Sequence, residues 1–265
     1  MKIPKIIHMI WFGKKEMSEE IKKYVATWKE KCPDYEVMLW NEDNFDVNAC
    51  QFAREAYENK KYAFVSDYVR LKVLYEYGGI YLDTDVGLEK SFDDFLDVAE
   101  GVLSFENDVW LGTAVMLASK HAKWLEPLIE YYEKIPFIKK NGKFNQTANC
   151  ALITGYLNKY YDLKIRESEQ NLRGGEIIIL QREYFAPLYY LTGEINKTEN
   201  TYAIHYHNFS WADKKLKLGN KISKNLRKIF GKSLFNHMEN ITMKRWIKRE
   251  GKNIVKVLKI KPTKR

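Results

Sequence analysis

Two aspartates one residue apart, Asp83 and Asp85, follow directly on the apolar run Ile80-Tyr81-Leu82, which itself follows the glycine pair Gly78-Gly79. In extended chain alternate side chains share a face, so Tyr81, Asp83 and Asp85 are expected to project together while Ile80 and Leu82 enter the core. Two carboxylates about 7 Å apart on one face repel unless a cation sits between them. A hard divalent ion with oxygen ligands meets that need and keeps positions open for phosphate oxygens. Asp-x-Asp alone is common on solvated turns. Its placement sets this pair apart, because in open α/β sheets ligands bind beyond the carboxyl ends of strands.

One element earlier, residues 63–77 are apolar or aromatic at 64, 65, 68, 69, 71, 73, 74, 75 and 77. That leaves almost no solvent face and describes a buried helix. Asp67 and Arg70 lie three residues apart on one side of it. A purely internal ion pair adds little net stability, because desolvation offsets attraction. The alternative is a pair that faces a polar ligand, where both charges find further partners. Far downstream, residues 203–211 read Ala-Ile-His-Tyr-His-Asn-Phe-Ser-Trp. An imidazole there, from His205 or His207, could complete the shell of a manganese-like ion, which tolerates nitrogen better than magnesium does. Spacing does not choose between the two, since both fall on one strand face. A histidine in a late strand is more often simply a core residue.

The positioning elements follow from periodicity. Residues 3–12 read as a buried strand ending at Gly13, and 35–40 and 80–82 as further strands. Strands are also expected at 101–105, 113–118, 177–180 and 202–205. Helices are expected at 19–31, capped by Ser18 and stopped by Pro33, at 50–58, at 63–77 up to Gly78-Gly79, at 123–134 and at 147–158. Strands alternating with helices of these lengths argue for a layered α/β domain. Residues 106–108 (Glu-Asn-Asp) and 145–147 (Asn-Gln-Thr) follow or open elements and read chiefly as loop or cap residues, with a reach to the site as the alternative.

The 265 residues, 45% of them apolar, suffice for a full core. Tyrosine and tryptophan are abundant, which suits stacking on sugars or bases as well as plain core packing. Three cysteines without Cys-x-x-Cys spacing suggest a reducing, cytoplasmic setting. The first residues are too polar for a signal peptide, and no run of about 18 apolar residues indicates a membrane span. The net charge of +9 is unevenly spread: residues 214–265 carry 18 Lys and Arg against Glu239 and Glu250, whereas residues 1–213 carry 26 basic and 33 acidic residues. The expected division is a catalytic domain over 1–212 and a basic amphipathic extension over 213–265. Apolar residues interleaved with Lys and Arg in the extension suit an anionic membrane surface, with a solvated helix as the plain alternative. An acidic body with an organised carboxylate site is a poor nucleic-acid binder.

The combined motif Ser66-Asp67-x-x-Arg70, then Gly78-Gly79-x-Tyr81-x-Asp83-x-Asp85, resembles the bacterial and fungal glycosyltransferases with a DXD sugar-binding region. That group includes yeast-type outer-chain mannosyltransferases and capsular polysaccharide enzymes and is related to the large clostridial glucosylating toxins. The opening Ile3-Pro4-Lys5-Ile6-Ile7-His8-x-Ile10-Trp11-Phe12-Gly13 and the closing Ser210-Trp211 resemble the same family, and the likeness covers residues 1–212. It implies a Rossmann-like GT-A fold, a nucleotide-sugar donor (UDP-linked favoured), a saccharide or lipid-linked saccharide acceptor, and transfer with retention. It further implies that Asp67 and Arg70 contact the donor sugar, with Arg70 also near the diphosphate. Tyr81 and Trp11 would lie against the nucleotide, Asp83 would hold ribose and sugar, and Trp211 would close over the phosphates. Asp85 would ligate a metal, manganese before magnesium, with His205 or His207; the family's usual aromatic at position 207 favours His205. Electrostatic stabilisation of the leaving nucleoside diphosphate is the expected chemistry, with front-face attack preferred to a covalent intermediate for want of an identifiable nucleophile. A metal-dependent nucleotidyl- or phosphotransferase is the enzymatic alternative, although no Gly-x-x-x-x-Gly-Lys loop is present. A non-enzymatic membrane-binding module is the other.

Overall fold

The computed structural model describes residues 2–166, 168–189, 193–207 and 232–259. Its centre is a seven-stranded sheet of order β2-β1-β3-β6-β5-β8-β7. The strands are β1 (Ile6–Ile10), β2 (Glu36–Trp40), β3 (Gly79–Leu82), β5 (Gly101–Ser104), β6 (Val115–Ala118), β7 (Gln170–Leu172) and β8 (Ile177–Leu180). β1 runs parallel to β2 and β3, and β5 to β8, while β6 lies antiparallel between β3 and β5. Two small sheets pair β9 (Leu188–Tyr189) with β10 (Glu194–Ile195) and β4 (Val86–Leu88) with β11 (Ala203–His205), both antiparallel.

Period-two alternation sends each sheet face into a different core. Tyr81, Leu103, Met116 and Ile179 join helices α2 (Gln51–Glu58), α3 (Tyr62–Tyr77), α4 (Glu126–Lys134) and α5 (Asn149–Tyr160). Ile80, Leu82, Val102 and Leu117 pack instead with α1 (Glu19–Lys31) and with Phe92 and Phe95. α1 starts where Ser18 accepts the Ile21 N–H at 3.3 Å. The sequence reading of α1 and α3 therefore survives nearly to the residue. The short strands β4 and β7 escaped it, because Val86-Gly87-Leu88 and Gln170-Asn171-Leu172 carry too few β-branched or aromatic residues to be read as strands.

The link between α3 and β3 is the tightest corner. Gly78 and Gly79 both take positive φ, +69° and +110°, and a Cβ on either would meet backbone, Lys120 N at 2.6 Å or Ile6 O at 2.5 Å. Buried His8 pins this corner: its Nε2 donates to the Gly78 carbonyl at 2.7 Å while its Nδ1 accepts from the Trp40 indole at 3.0 Å. Both nitrogens are thus committed with the ring neutral, and burial pushes its pKa down to about 4.

The basic extension is partly a core element. Helix α6 (Lys232–Leu258) packs on α5 and α4, with Ile247, Ile254 and Leu258 buried. The helices cross where a Cβ on Gly155 would stand 2.7 Å from Gly251 N, so their backbones touch. Glu250 is buried there among Trp246, Arg249 and Asn253. Apolar positions 247, 254 and 258 are thus committed to protein. Among the described residues no helix is long and apolar enough to cross a membrane.

His8 yields a pH prediction. Because its folded pKa lies below its unfolded value, the unfolded chain binds the extra proton, so the contribution is complete above about 6.5 and is lost as pH falls to about 4. The loss amounts to about 3 kcal/mol at most. Urea unfolding between pH 7 and 4.5 should show this decline, and it should flatten in His8→Gln.

Candidate active site

The site lies at the carboxyl ends of β1, β3 and β5, the end at which α3 presents Asp67 and Arg70. Strand β3 stops at Leu82, and Asp83, Thr84 and Asp85 form a turn into β4, closed by the Val86 N–H on the Asp83 carbonyl at 3.0 Å. The two carboxylates are therefore presented by a tight turn and not, as expected, along one extended strand. The turn is anchored on both sides: the Asp83 N–H donates to the Ala114 carbonyl at 2.8 Å and the Tyr206 N–H to the Asp85 carbonyl at 2.9 Å.

Arg70 is the hub. It is 5% exposed, and its guanidinium donates to the Thr113 carbonyl at 2.7 Å, the Ser66 carbonyl at 3.1 Å and the Ser66 hydroxyl at 3.0 Å. Nη2 also stands 3.2 Å from Asp67 and 3.4 Å from Asp83. Beneath it lies the Tyr81 ring, its centroid 4.5 Å from the guanidinium carbon, and the Tyr81 hydroxyl donates to Asp83. Burial pushes Asp67 up to about 7 and Asp83 adds to the rise, against the pull of Arg70. Burial likewise holds the Tyr81 hydroxyl well above its ordinary range. Tyr81 is buried under Arg70, so it meets the cluster from the core side.

The histidines arrive from β11 and the residues just after it. His205 Nε2 stands 3.5 Å from Asp85 and its Nδ1 is 3.0 Å from Glu106. His207, in a left-handed conformation with φ +51°, sets its ring 3.8 Å from that of His205 and its Nδ1 3.7 Å from Glu106. His205 thus stands within 3.5 Å of both carboxylates, one at each ring nitrogen. Burial opposes charge on His205, but Asp85 and Glu106 overcome it and raise the imidazole to about 10. Burial and the neighbouring His205 push His207 down to about 4. Glu106, which burial alone would raise, is held below the usual carboxylate range by the two imidazoles.

Two sets of metal-ligand type result, Asp83 with Asp85 and His205, and Glu106 with His205 and His207, the donor atoms of each lying within 4.8 Å of one another. The first, with carboxylate oxygens and one nitrogen, suits a manganese-like ion. The β1–β3 register of His8 with Tyr81 carries Trp11 level with the Asp83 turn, half-buried, its indole N–H on the Lys15 carbonyl at 2.6 Å. Asn149 at the start of α5 donates to the Asp67 carbonyl at 3.3 Å, which brings that helix to the same cluster. Trp211 lies outside the described residues. Glu106 was legible only as a polar residue after a strand, the same signal that marks Asp83; the turn that aims it inward left no pattern.

Residues 18–101 match the model of the glycosyltransferase sugar-binding region containing a DXD motif. They hold Asp67, Arg70, Tyr81, Asp83 and Asp85. The chain is similar to inositol phosphoceramide mannosyltransferase 3 of Schizosaccharomyces pombe, 37% identical over 36% of this chain and 27% of that protein. The mannosyl phosphorylinositol ceramide synthase SUR1 of Saccharomyces cerevisiae is 32% identical over 51% of this chain and 37% of that protein. The chain thus spans well under half the length of these two curated relatives. An uncharacterized glycosyltransferase of Acanthamoeba polyphaga mimivirus aligns more fully, at 28% identity over 79% of this chain and 84% of that protein. Over the aligned part the chain is similar to these mannosyltransferases, and its central sheet flanked by helices is the layered α/β architecture expected from the strand–helix alternation.

The sugar-binding region makes a contrasting pair of substitutions informative. Arg70→Met leaves Asp67, Asp83 and the Tyr81 ring without their shared cation and should destabilise by about 3–5 kcal/mol. Asp67→Asn, at a carboxyl already half-protonated near pH 7, should cost under about 1 kcal/mol. Urea denaturation at pH 7 compares them, and equal losses would show that Arg70 is not the hub.

Proposed function

We propose that this protein is a GT-A glycosyltransferase that moves a hexosyl or N-acetylhexosaminyl unit from a nucleotide-sugar donor, UDP-linked in the first instance, to a saccharide or lipid-linked saccharide, with retention. Surface polysaccharide synthesis is the setting this reading favours. The observation that carries it is the juxtaposition of Arg70, Asp83, Asp85 and His205 beyond the β3 carboxyl end, within a DXD sugar-binding region. Asp85 and His205 would hold a divalent ion, manganese before magnesium, with Asp83 at its edge. When bound, the ion supplies positive charge against the donor diphosphate.

The chain's own residues divide the remaining work. Arg70 directs fixed positive charge toward the leaving diphosphate, and its five hydrogen-bonding and ionic partners hold it in place without reorganisation. Asp67 and Asp83 offer acceptors to sugar and ribose hydroxyls, and Trp11 at the β1 end offers an aromatic face for the base. No carboxylate has been assigned as a nucleophile, so front-face attack, with the donor phosphate receiving the acceptor proton, remains the preferred route. A donor-hydrolysis screen across nucleotide sugars with Mn²⁺ tests this. One donor class should turn over, and Asp85→Asn should lower the rate by about 100-fold or more. No turnover of any donor, together with no nucleotide binding, would sink the enzyme reading.

We further infer a peripheral membrane role on the cytoplasmic face, supported by the described half of α6. Lys244, Arg245, Lys248, Lys252, Lys256 and Lys259 are all exposed. At 100° per residue Lys244, Arg245, Lys248, Lys252 and Lys256 fall within about 120° of the helix circumference, in a sector beside the one that carries buried Ile247, Ile254 and Leu258. With the apolar face committed to α5, attraction to anionic headgroups would be electrostatic, about 1 kcal/mol per basic residue. Lys248→Glu, Lys252→Glu and Lys256→Glu together should cut binding to phosphatidylserine vesicles about 100-fold. Undiminished sedimentation with vesicles would remove the membrane role.

A further inference from the structure

Glu106 belongs to no part of the DXD segment and stands at the far side of His205 from Asp85. Its position is built. The Phe105 N–H donates to the Leu180 carbonyl at 3.0 Å, and the Glu106 N–H to the Trp110 carbonyl at 2.8 Å. Asn107 Oδ1 accepts the N–H groups of both Val109 and Trp110 at 2.9 Å, which closes the turn that follows. The backbone at Glu106 is therefore tied to two neighbours, and its carboxylate is largely withdrawn from water, its side chain 16% exposed.

His205 has two ring nitrogens, and its two carboxylate neighbours stand at different distances. Nδ1 to Glu106 Oε1 is 3.0 Å, the length of a charge-assisted hydrogen bond. Nε2 to Asp85 Oδ1 is 3.5 Å, long for a hydrogen bond. One imidazole cannot give the same lone pair to both metal-type sets, so the two sets are alternatives for His205. With Nδ1 engaged by Glu106, Nε2 is the nitrogen left to give its lone pair to an ion that displaces its proton.

We propose that Glu106 is a positioning residue: it holds the Nδ1 proton of His205, fixes the tautomer and ring orientation, and so presents Nε2 beside Asp85 as a metal ligand. Glu106 and His207 are then outside the coordination shell, with the His207 ring tilted 39° against that of His205 at 3.8 Å and limiting its rotation. A carboxylate behind a ligating histidine raises its basicity and orders its ring before the ion arrives. The inference rests on the metal reading above, and the experiment separates the two.

Mn²⁺ binding by the full chain is titrated by electron paramagnetic resonance of the free ion, without donor turnover. Wild type should bind one ion, and Asp85→Asn should abolish binding. Glu106→Leu should weaken binding about tenfold or more, in the range found for outer-shell partners. Glu106→Gln should recover much of that loss, since its amide carbonyl still accepts the Nδ1 proton. His207→Gln should stay within about twofold of wild type. A directly ligating Glu106 predicts the opposite pattern, with Gln as poor as Leu and His207→Gln similarly impaired, and that result overturns the proposal. Should Glu106→Leu not fold, nitrogen NMR of the Mg²⁺-loaded wild type decides, and a proton found on Nε2 of His205 overturns it. Wild type without bound Mn²⁺ defeats the metal reading itself. An Asp85-dependent ion indifferent to Glu106→Leu and Glu106→Gln defeats only this inference.

Discussion

Everything at this site is organised around one buried guanidinium. Taking Arg70 out of water is costly, and the fold repays that with backbone and hydroxyl acceptors from Ser66, the Thr113 carbonyl, two carboxylates and an aromatic face. Those partners come from α3, β3, the turn after it and the segment leading into β6. Meeting the needs of a single side chain therefore fixes four pieces of backbone relative to one another. The same arrangement buries Asp67, whose pKa rises to about 7, and keeps Asp83 beside a permanent positive charge.

A second layer of the site runs through backbone pairing of distant segments. β4 brings Asp85 and β11 brings His205 into register as neighbours, His205 opposite Val86, although they are far apart in sequence. Glu106 is delivered independently by the end of β5. The acid–imidazole–acid chain from Asp85 through His205 to Glu106 thus depends on three separate strands meeting at one end of the molecule. This is the familiar logic of open α/β sheets, in which chemistry collects where strands stop.

Much of this was legible in the sequence, for identifiable reasons. Ser18 marks a helix start because its hydroxyl satisfies an orphan N–H, and Gly78-Gly79 marks a corner because only glycine fits there. α3 read as buried because it has no polar face. The turn at Asp83–Asp85 was not legible, because the alternation of Tyr81, Asp83 and Asp85 is equally compatible with a strand. Nor was the role of Glu106, since a single acidic residue after a strand says nothing about the turn that aims it. The use of α6 was ambiguous for a deeper reason. An apolar stripe beside a basic one serves equally well against a bilayer surface or against another helix, and only tertiary contact distinguishes them.

The contact of Gly155 with Gly251 bears on how this chain can be divided. The composition changes sharply near residue 213, which invites cutting there to obtain a minimal catalytic body. Yet α5, whose first turn touches Asp67, rests its middle on α6 with no side chain between the two backbones. A shortened chain ending at 212 would bare that flat glycine seam, and with it the partners of Ile247, Ile254 and Leu258, to water. The boundary visible in charge is not a boundary in folding.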